Sequence, residues 1–305
     1  MFQDLITSSS NPRVKYALSL RDAKARRSER RILVDGVDLI AKALSNGVEL
    51  SELFFRDSAL HEPPSDLREF LRSIPEGLRC TRLSDAPMDR IQYGERQLDV
   101  IAVAIPPETS LDSLSRRLSK IASRSAPSQE SASTTGKPAM RELGKSSHGE
   151  LFLVLDRMEK PGNLGAALRT ADAAGVRCVL LSDPVSETWN PNAIRSSLGA
   201  IFTVPLAIAS AEDLQEWLVK NQVQLFAARA DGGQSYNDTD FPKKTALIIG
   251  NEAEGLGDRW KSKGIESVHI PMLGAIDSLN ASVSGALLMF EVLRQWRSAE
   301  TSGCP

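Results

Sequence analysis

The sequence predicts an α/β protein of two domains, the second built around a parallel sheet. Its 305 residues suit two domains at roughly 100–200 residues each. A Ser-, Thr- and Pro-rich stretch at 107–149, nearly empty of large apolar groups after Ile121, divides them. On both sides of it short apolar runs alternate with segments of helical periodicity. Runs such as LFLVL at 151–155 and ALII at 246–249 are apolar throughout, as strands covered on both faces are.

In the first domain, residues 1–106, Asn11-Pro12 opens a helix. Asn suits the N-cap and Pro the first helical position, where its missing N–H costs nothing. A basic helix follows, then a strand at 32–34, a helix at 37–44 closed by Gly47, and a strand at 50–55. A helix at 65–73, strand 78–83, helix 85–92 and strand 98–105 complete the alternation. Within the linker, 107–149, Leu111, Leu114, Leu118 and Ile121 keep a helical spacing, which predicts a short helix hanging from the first domain before an unstructured core at 122–148. The second domain, 150–300, predicts strand 151–155, helix 164–174, strand 178–181, helix 191–198, strand 202–204 and helix 211–220. Strands at 224–228, 246–249 and 268–270 and a long helix at 281–296 follow.

Composition narrows the function classes. With 41% hydrophobic and 25% charged residues, the chain has the make-up of an ordinary globular protein, which excludes collagen, a wholly disordered chain and a disulfide scaffold. No run reaches the roughly 18 apolar residues of a membrane span. Met1-Phe2-Gln3-Asp4 lacks the layout of a secretion signal, so a cytoplasmic location is expected. Cys80, Cys178 and Cys304 are far apart and read as reduced thiols without a role. His61, His148 and His269 are isolated, which supports neither a metal cluster nor a Ser–His triad.

The net charge of −2 hides an asymmetry: Arg13, Lys15, Arg21, Lys24, Arg26, Arg27, Arg30 and Arg31 face only Asp4, Asp22 and Glu29 near the start of the chain. Such a patch attracts phosphate backbones, although a basic run also makes a solvated helix face.

Three stretches are richer in special residues than packing demands, and each begins where a predicted strand ends, the place where open α/β sheets bind ligands. They are LDRMEKPGNLG at 155–165 with Arg169 and Thr170 beyond it, IGNEAEGL at 249–256, and 270–282 with its DSLNAS segment. Singly, each reads equally as a turn with a helix cap or as a loop. If Asn163 caps its helix, a capped start with Arg169 nearby suits a phosphate or carboxylate. The phosphate-loop and dinucleotide glycine patterns are absent, which counts against ATP and NAD enzymes.

Together, PGNLGAALRTADAAG, IIGNEAEGL and IPMLGAIDSLNASVSGALLMFE resemble, in order and spacing, the three motifs of the SpoU family of RNA ribose 2′-O-methyltransferases, in the SPOUT superfamily. AIRSSLGAIF at 193–202 resembles the segment between the first two, and the likeness covers about 151–298. ITSSSNPRVK at 6–15 and LVDG at 33–36 are similar, more weakly, to the RNA substrate-binding domain that precedes this catalytic domain in many members. There Asp35 departs from the more usual Glu, and Ala253 stands where the second motif commonly has glycine.

The resemblance implies a deep trefoil knot in the second domain and S-adenosylmethionine as methyl donor, with no metal. Its donor contacts fall on Gly250, Ile270 and Leu279, largely through backbone. Its polar catalytic set falls on Asn163, Arg169, Glu252, Ser278 and Asn280. The chemistry is in-line attack of a ribose 2′-hydroxyl on the sulfonium methyl, which needs orientation and removal of a proton. A guanidinium stays protonated, so Arg169 is expected to grip a phosphate and stabilise developing alkoxide charge, leaving the proton to a phosphate oxygen or water. Glu252 is expected to fix Arg169 or the loop. The family also implies a homodimer.

The leading expectation is therefore a methyltransferase acting on ribosomal RNA. A transfer-RNA enzyme and a catalytically silent RNA-binding or assembly factor are the alternatives, and a dinucleotide-binding oxidoreductase lacks its fingerprint.

Overall fold

The structure, a computed structural model, describes residues 2–95, 97–124, 149–251, 253–275 and 277–302. It divides into two compact units: residues 1–107 with Glu187–Thr203, and Glu108–Ser186 with 204–305.

The first unit holds a five-stranded sheet in the order β1-β4-β3-β5-β2, formed by β1 (Phe2–Ile6), β2 (Ile32–Asp35), β3 (Leu50–Arg56), β4 (Arg79–Leu83) and β5 (Val100–Ala104). β4 pairs parallel with β1 and β3, whereas β5 runs antiparallel to β2 and β3. Helices α1 (Pro12–Ser19), α2 (Ala23–Glu29), α3 (Val37–Ser45), α4 (Asp57–His61), α5 (Ser65–Ser73) and α6 (Asp85–Ile91) connect them. Asn11 caps α1, its side chain accepting from the Arg13 amide, with Pro12 at the first position, as the sequence predicts. Val14, Ala17 and Leu20 pack with Met88 and Ile91 of α6 over Leu33, Phe54, Ile101 and Val103.

Not all of the basic run is a solvated face. Arg21 forks onto the Asp35 carboxylate at 2.8 and 2.6 Å, Arg26 is buried against Glu187 at 2.5 Å, and Arg13 pairs with Glu52 and Thr81. Burial pushes the Asp35 carboxyl up from its ordinary value, and Arg21 works against that shift. Lys15, Lys24, Arg27 and Arg30 remain exposed.

The second unit carries a seven-stranded sheet, ordered β10-β12-β9-β11-β6-β7-β8, in which every described pairing is parallel. Its strands are β6 (Glu150–Asp156), β7 (Cys178–Ser182), β8 (Leu206–Ala209), β9 (Gln224–Ala228), β10 (Gln234–Ser235), β11 (Lys244–Ile249) and β12 (Ile265–His269). The apolar runs at 151–155 and 246–249 are its central strands, buried throughout. Alternate residues serve opposite faces. Phe152, Val154, Ala246 and Ile248 join the core beneath α7 (Leu111–Arg124) and α11 (Ala211–Lys220), while α8 (Pro161–Ala174) and α12 (Ala281–Ser302) pack on each other, and α12 on β11. The helices α9 (Pro191–Ser196) and α10 (Ala200–Thr203) belong to the first unit.

The structure corrects several expectations. Residues 202–204 are not a strand: Ala200, Ile201 and Phe202 are buried on α10, and the strand starts beyond Pro205, at Leu206. The helix predicted to hang from the first domain, α7, packs on the second unit, where Leu114 is buried with Phe152, Leu214 and Leu218 and the Trp217 indole donates to Ser115. The expected unstructured core lies, from 125 to 148, outside the described residues. Cys80 and Cys178 are buried free thiols, and burial pushes both thiols up, Cys178 the further. Cys304 lies outside the described residues. Among the described residues no helix is long and apolar enough to cross a membrane.

Candidate active site

The three motif stretches leave the C-terminal ends of β6, β11 and β12, all on one sheet. The first leads into α8. Lys160, not Asn163, holds the N-cap position; Pro161 opens the helix, Leu164, Ala167, Leu168 and Ala171 bury its inner face, and Gly175, left-handed at φ 66°, ends it. Asn163 thus sits in the first turn, half-buried, and Arg169 six residues further along, exposed.

The second stretch is a tight reversal after β11. The Asn251 side-chain oxygen accepts the Ala253 and Glu254 amides at 2.7 and 2.8 Å, and its carbonyl accepts the Gly255 amide at 3.1 Å. A Cβ on Gly250 would lie 2.4 Å from the backbone of Gly255, so only glycine allows this fold-back. Asn251, itself buried, also donates from Nδ2 to Glu159 at 3.0 Å, tying this turn to the first stretch.

The third stretch runs from half-buried Ile270 through exposed Ser278 to half-buried Leu279, and Asn280 caps α12 by accepting the Ser282 amide at 2.9 Å. Asn280 Nδ2 also donates to Asn163 Oδ1 at 3.2 Å. Of the expected catalytic set, the structure therefore joins Asn163 to Asn280, leaves Arg169 and Ser278 exposed without describing a contact between them, and Glu252 lies outside the described residues.

Two groups outside the three stretches, Arg259 and Asp183, join the arrangement together with Asp156, Arg157 and Glu254 from within them. Arg259 bridges Asp156, at 2.5 Å, and Asp183, at 2.7 Å, and Arg157 pairs with Glu254 at 2.8 Å. A signal for the first exists in hindsight: a charge ending the apolar run LFLVLD demands a cation. No local spacing says which. Among the described residues no group of three or more His, Cys, Asp or Glu is placed to hold a metal ion. The surface cavity of about 530 Å³ lined by Val48, Leu50, Pro75 and Leu78 belongs to the first unit and contains none of these residues.

The residues fit an adenosine-bearing donor. Ile270 and Leu279 offer aliphatic surface on the loop after β12, and the Gly250 turn after β11 presents backbone rather than side chain.

Known proteins resemble this chain in sequence and in fold. Residues 150–290 match the SpoU rRNA Methylase family, and residues 11–102 match the MRM3-like substrate binding domain. A 23S rRNA (uridine(2479)-2′-O)-methyltransferase of Streptomyces viridochromogenes is 26% identical, the match covering 94% of this chain and 90% of that protein. The 23S rRNA (guanosine(2553)-2′-O)-methyltransferase RlmP of Bacillus subtilis is 26% identical over 94% of this chain and 98% of its own. Among solved structures, the SpoU methyltransferase AviRb of Streptomyces viridochromogenes in complex with AdoMet superposes with a TM-score of 0.76, at 25% identity over 94% of this chain and 99% of that one. An RNA 2′-O ribose methyltransferase superposes with a TM-score of 0.73 at 30% identity, covering 96% of this chain and 99% of its own. With the motifs, the parallel sheet and both halves of the chain accounted for, this protein belongs to the SpoU rRNA methylase family.

Proposed function

We propose that this protein transfers a methyl group from S-adenosylmethionine to a ribose 2′-hydroxyl of ribosomal RNA. The observation that carries the reading is the Asn163–Asn280 hydrogen bond, which joins the first and third motifs, 117 residues apart, at the end of the sheet where ligands bind. When bound, the donor supplies a sulfonium methyl open to nucleophilic attack. The Gly250 turn, Ile270 and Leu279 hold its adenosine through backbone groups and aliphatic packing. The first turn of α8 orients the target ribose through Asn163, with Asn280 and Ser278 opposite. Arg169, exposed and cationic, grips the phosphate beside that ribose and stabilises the alkoxide as the 2′-hydroxyl proton leaves for a phosphate oxygen or water. Glu252 belongs to this set by its place in the second motif.

Residues 1–106 form the substrate-binding domain and 150–300 the methyltransferase domain on this reading, and Lys15, Lys24, Arg27 and Arg30 are its RNA-facing cations. The trefoil knot expected of the family falls in this second domain. Exposed Val283, Leu287 and Phe290, spaced four and three apart on α12, support a homodimer through that helix.

The test is transfer from labelled S-adenosylmethionine to RNA from cells lacking this protein, fractionated by class, with Arg169→Ala alongside. Label at a ribose 2′-oxygen of ribosomal RNA, lost in the variant, is the expected result. Label confined to transfer RNA would move the substrate there. Donor binding without transfer to any RNA would make the protein a silent RNA-binding factor.

A further inference from the structure

The Asp156–Arg259–Asp183 bridge lies outside the motif residues that the reaction uses, yet it ties together the loops that carry them. Asp156 ends β6, its side chain only 1% exposed, and its carboxylate accepts from the Arg259 guanidinium at 2.5 Å. Asp183, left-handed at φ 42°, follows β7 and takes the other arm of the same guanidinium. Arg259 is itself held firmly: its carbonyl accepts from the Gln215 amide at 2.9 Å, and the next residue, Trp260, is wholly buried in the core. A planar fork bonded to two carboxylates fixes orientation as well as distance. From Asp156 the chain runs directly into Lys160 and the first turn of α8, and from Arg259 it runs back to the Gly250 turn.

We propose that Arg259 is a positioning residue for methyl transfer: by clamping Asp156 and Asp183 it holds the loop that delivers Asn163 and Arg169 in register with the donor-binding turn. The inference rests on the function proposed above. The donor turn has its own closure, through Asn251 and Gly255, so loosening the clamp leaves donor affinity in place and misplaces the acceptor side.

The experiment compares full-length wild type, Arg259→Ala, Arg259→Lys and Asp183→Asn. It measures the single-turnover rate on ribosomal RNA, the dissociation constant of S-adenosylmethionine by calorimetry, and the melting temperature. Asp183 is partly exposed, so its isosteric amide keeps a folded protein should Arg259→Ala fail to fold. The expected result is a rate lowered by about tenfold or more in Arg259→Ala and several-fold in Asp183→Asn, with the donor constant within about threefold of wild type. Lysine, which reaches one carboxylate but not both, should fall between wild type and alanine. Unchanged rates in Asp183→Asn and Arg259→Lys would overturn the proposal while leaving the methyltransferase reading intact. So would losses in rate and donor affinity that merely track lost folded protein. A wild type that methylates no RNA would instead overturn the underlying reading, and this inference with it.

Discussion

Asn280 is bonded at both ends of its amide: its oxygen accepts the Ser282 amide at 2.9 Å, capping α12, while its nitrogen donates to Asn163 at 3.2 Å in the first turn of α8. The residue that caps α12 is therefore also the one bonded to the first motif, so its cap and its proposed part in the site share one side chain. A substitution can separate them. The change Asn280→Asp retains the acceptor that caps the helix and loses the donor to Asn163, so stability should hold while turnover falls about tenfold. Asn280→Ala should lose both, with about 1 kcal/mol of stability gone as well. Equal turnover in wild type and the aspartate variant would remove Asn163–Asn280 from the reaction.

Gly250 offers a sharper steric test. The space its Cβ would need is occupied by the carbonyl carbon and oxygen of Gly255, both 2.4 Å away, and by the Leu256 nitrogen at 2.7 Å. Backbone cannot step aside as a flexible side chain does, so Gly250→Ala must open the turn. We expect donor affinity to fall at least tenfold and stability by about 1–3 kcal/mol. Gly257→Ala, where the added methyl meets nothing within 4 Å, is the matched control and should behave as wild type in titration calorimetry and melting.

How much of this was legible follows from which forces are local. The strands β6 and β11 could be read directly because an apolar run without polar interruption has few homes other than a doubly covered sheet. The caps at Asn11 and Asn280 were legible because capping is settled within three residues. Residues 202–204 misled because Phe, Thr and Val favour strands, while burial of Ala200, Ile201 and Phe202 together on one turn outweighs that preference. The periodicity of 111–121 announced a helix and its apolar face but not the surface that the face would cover, which proved to be the second unit. Arg259 was invisible for the same reason: its partners lie 103 and 76 residues away, and an arginine in a polar loop carries no mark of them. The basic run near the start shows the converse, since Arg13, Arg21 and Arg26 look like a nucleic-acid face and are held by internal acids.

Oligomeric state can be tested through α12. Val283, Leu287 and Phe290 are 46%, 40% and 49% exposed along one stripe of a helix whose other side, at Leu288, Met289 and Val292, is fully buried. A dimer that uses this stripe should dissociate when a charge enters it, because an unpaired carboxylate cannot be buried there without large cost. Phe290→Glu is expected to shift sedimentation velocity from dimer to monomer at micromolar concentration, with far-ultraviolet circular dichroism unchanged. A variant that remains dimeric would place the contact elsewhere.

The pH dependence of stability should carry a signature of Glu291. This carboxylate, 9% exposed, receives Arg294 on both oxygens at 2.8 and 2.7 Å, and the Gln295 amide at 2.9 Å. Those hydrogen bonds, Arg294 first, hold its carboxyl below the ordinary 4.5, and burial opposes them only in part. A folded-state value below the unfolded one means that the native protein binds fewer protons between the two. Its contribution is then complete above the ordinary value and disappears as pH falls through the folded one. Gln295 links the same carboxylate to the Thr239 carbonyl and the Phe241 amide, so protonation loosens the anchorage of α12 to the segment before β11. Glu291→Gln should melt a few degrees below wild type near neutral pH, and the two curves should converge over the acid range as pH falls below the ordinary 4.5. Melting curves that stay parallel throughout that range would show that the Arg294 pairing contributes nothing to stability.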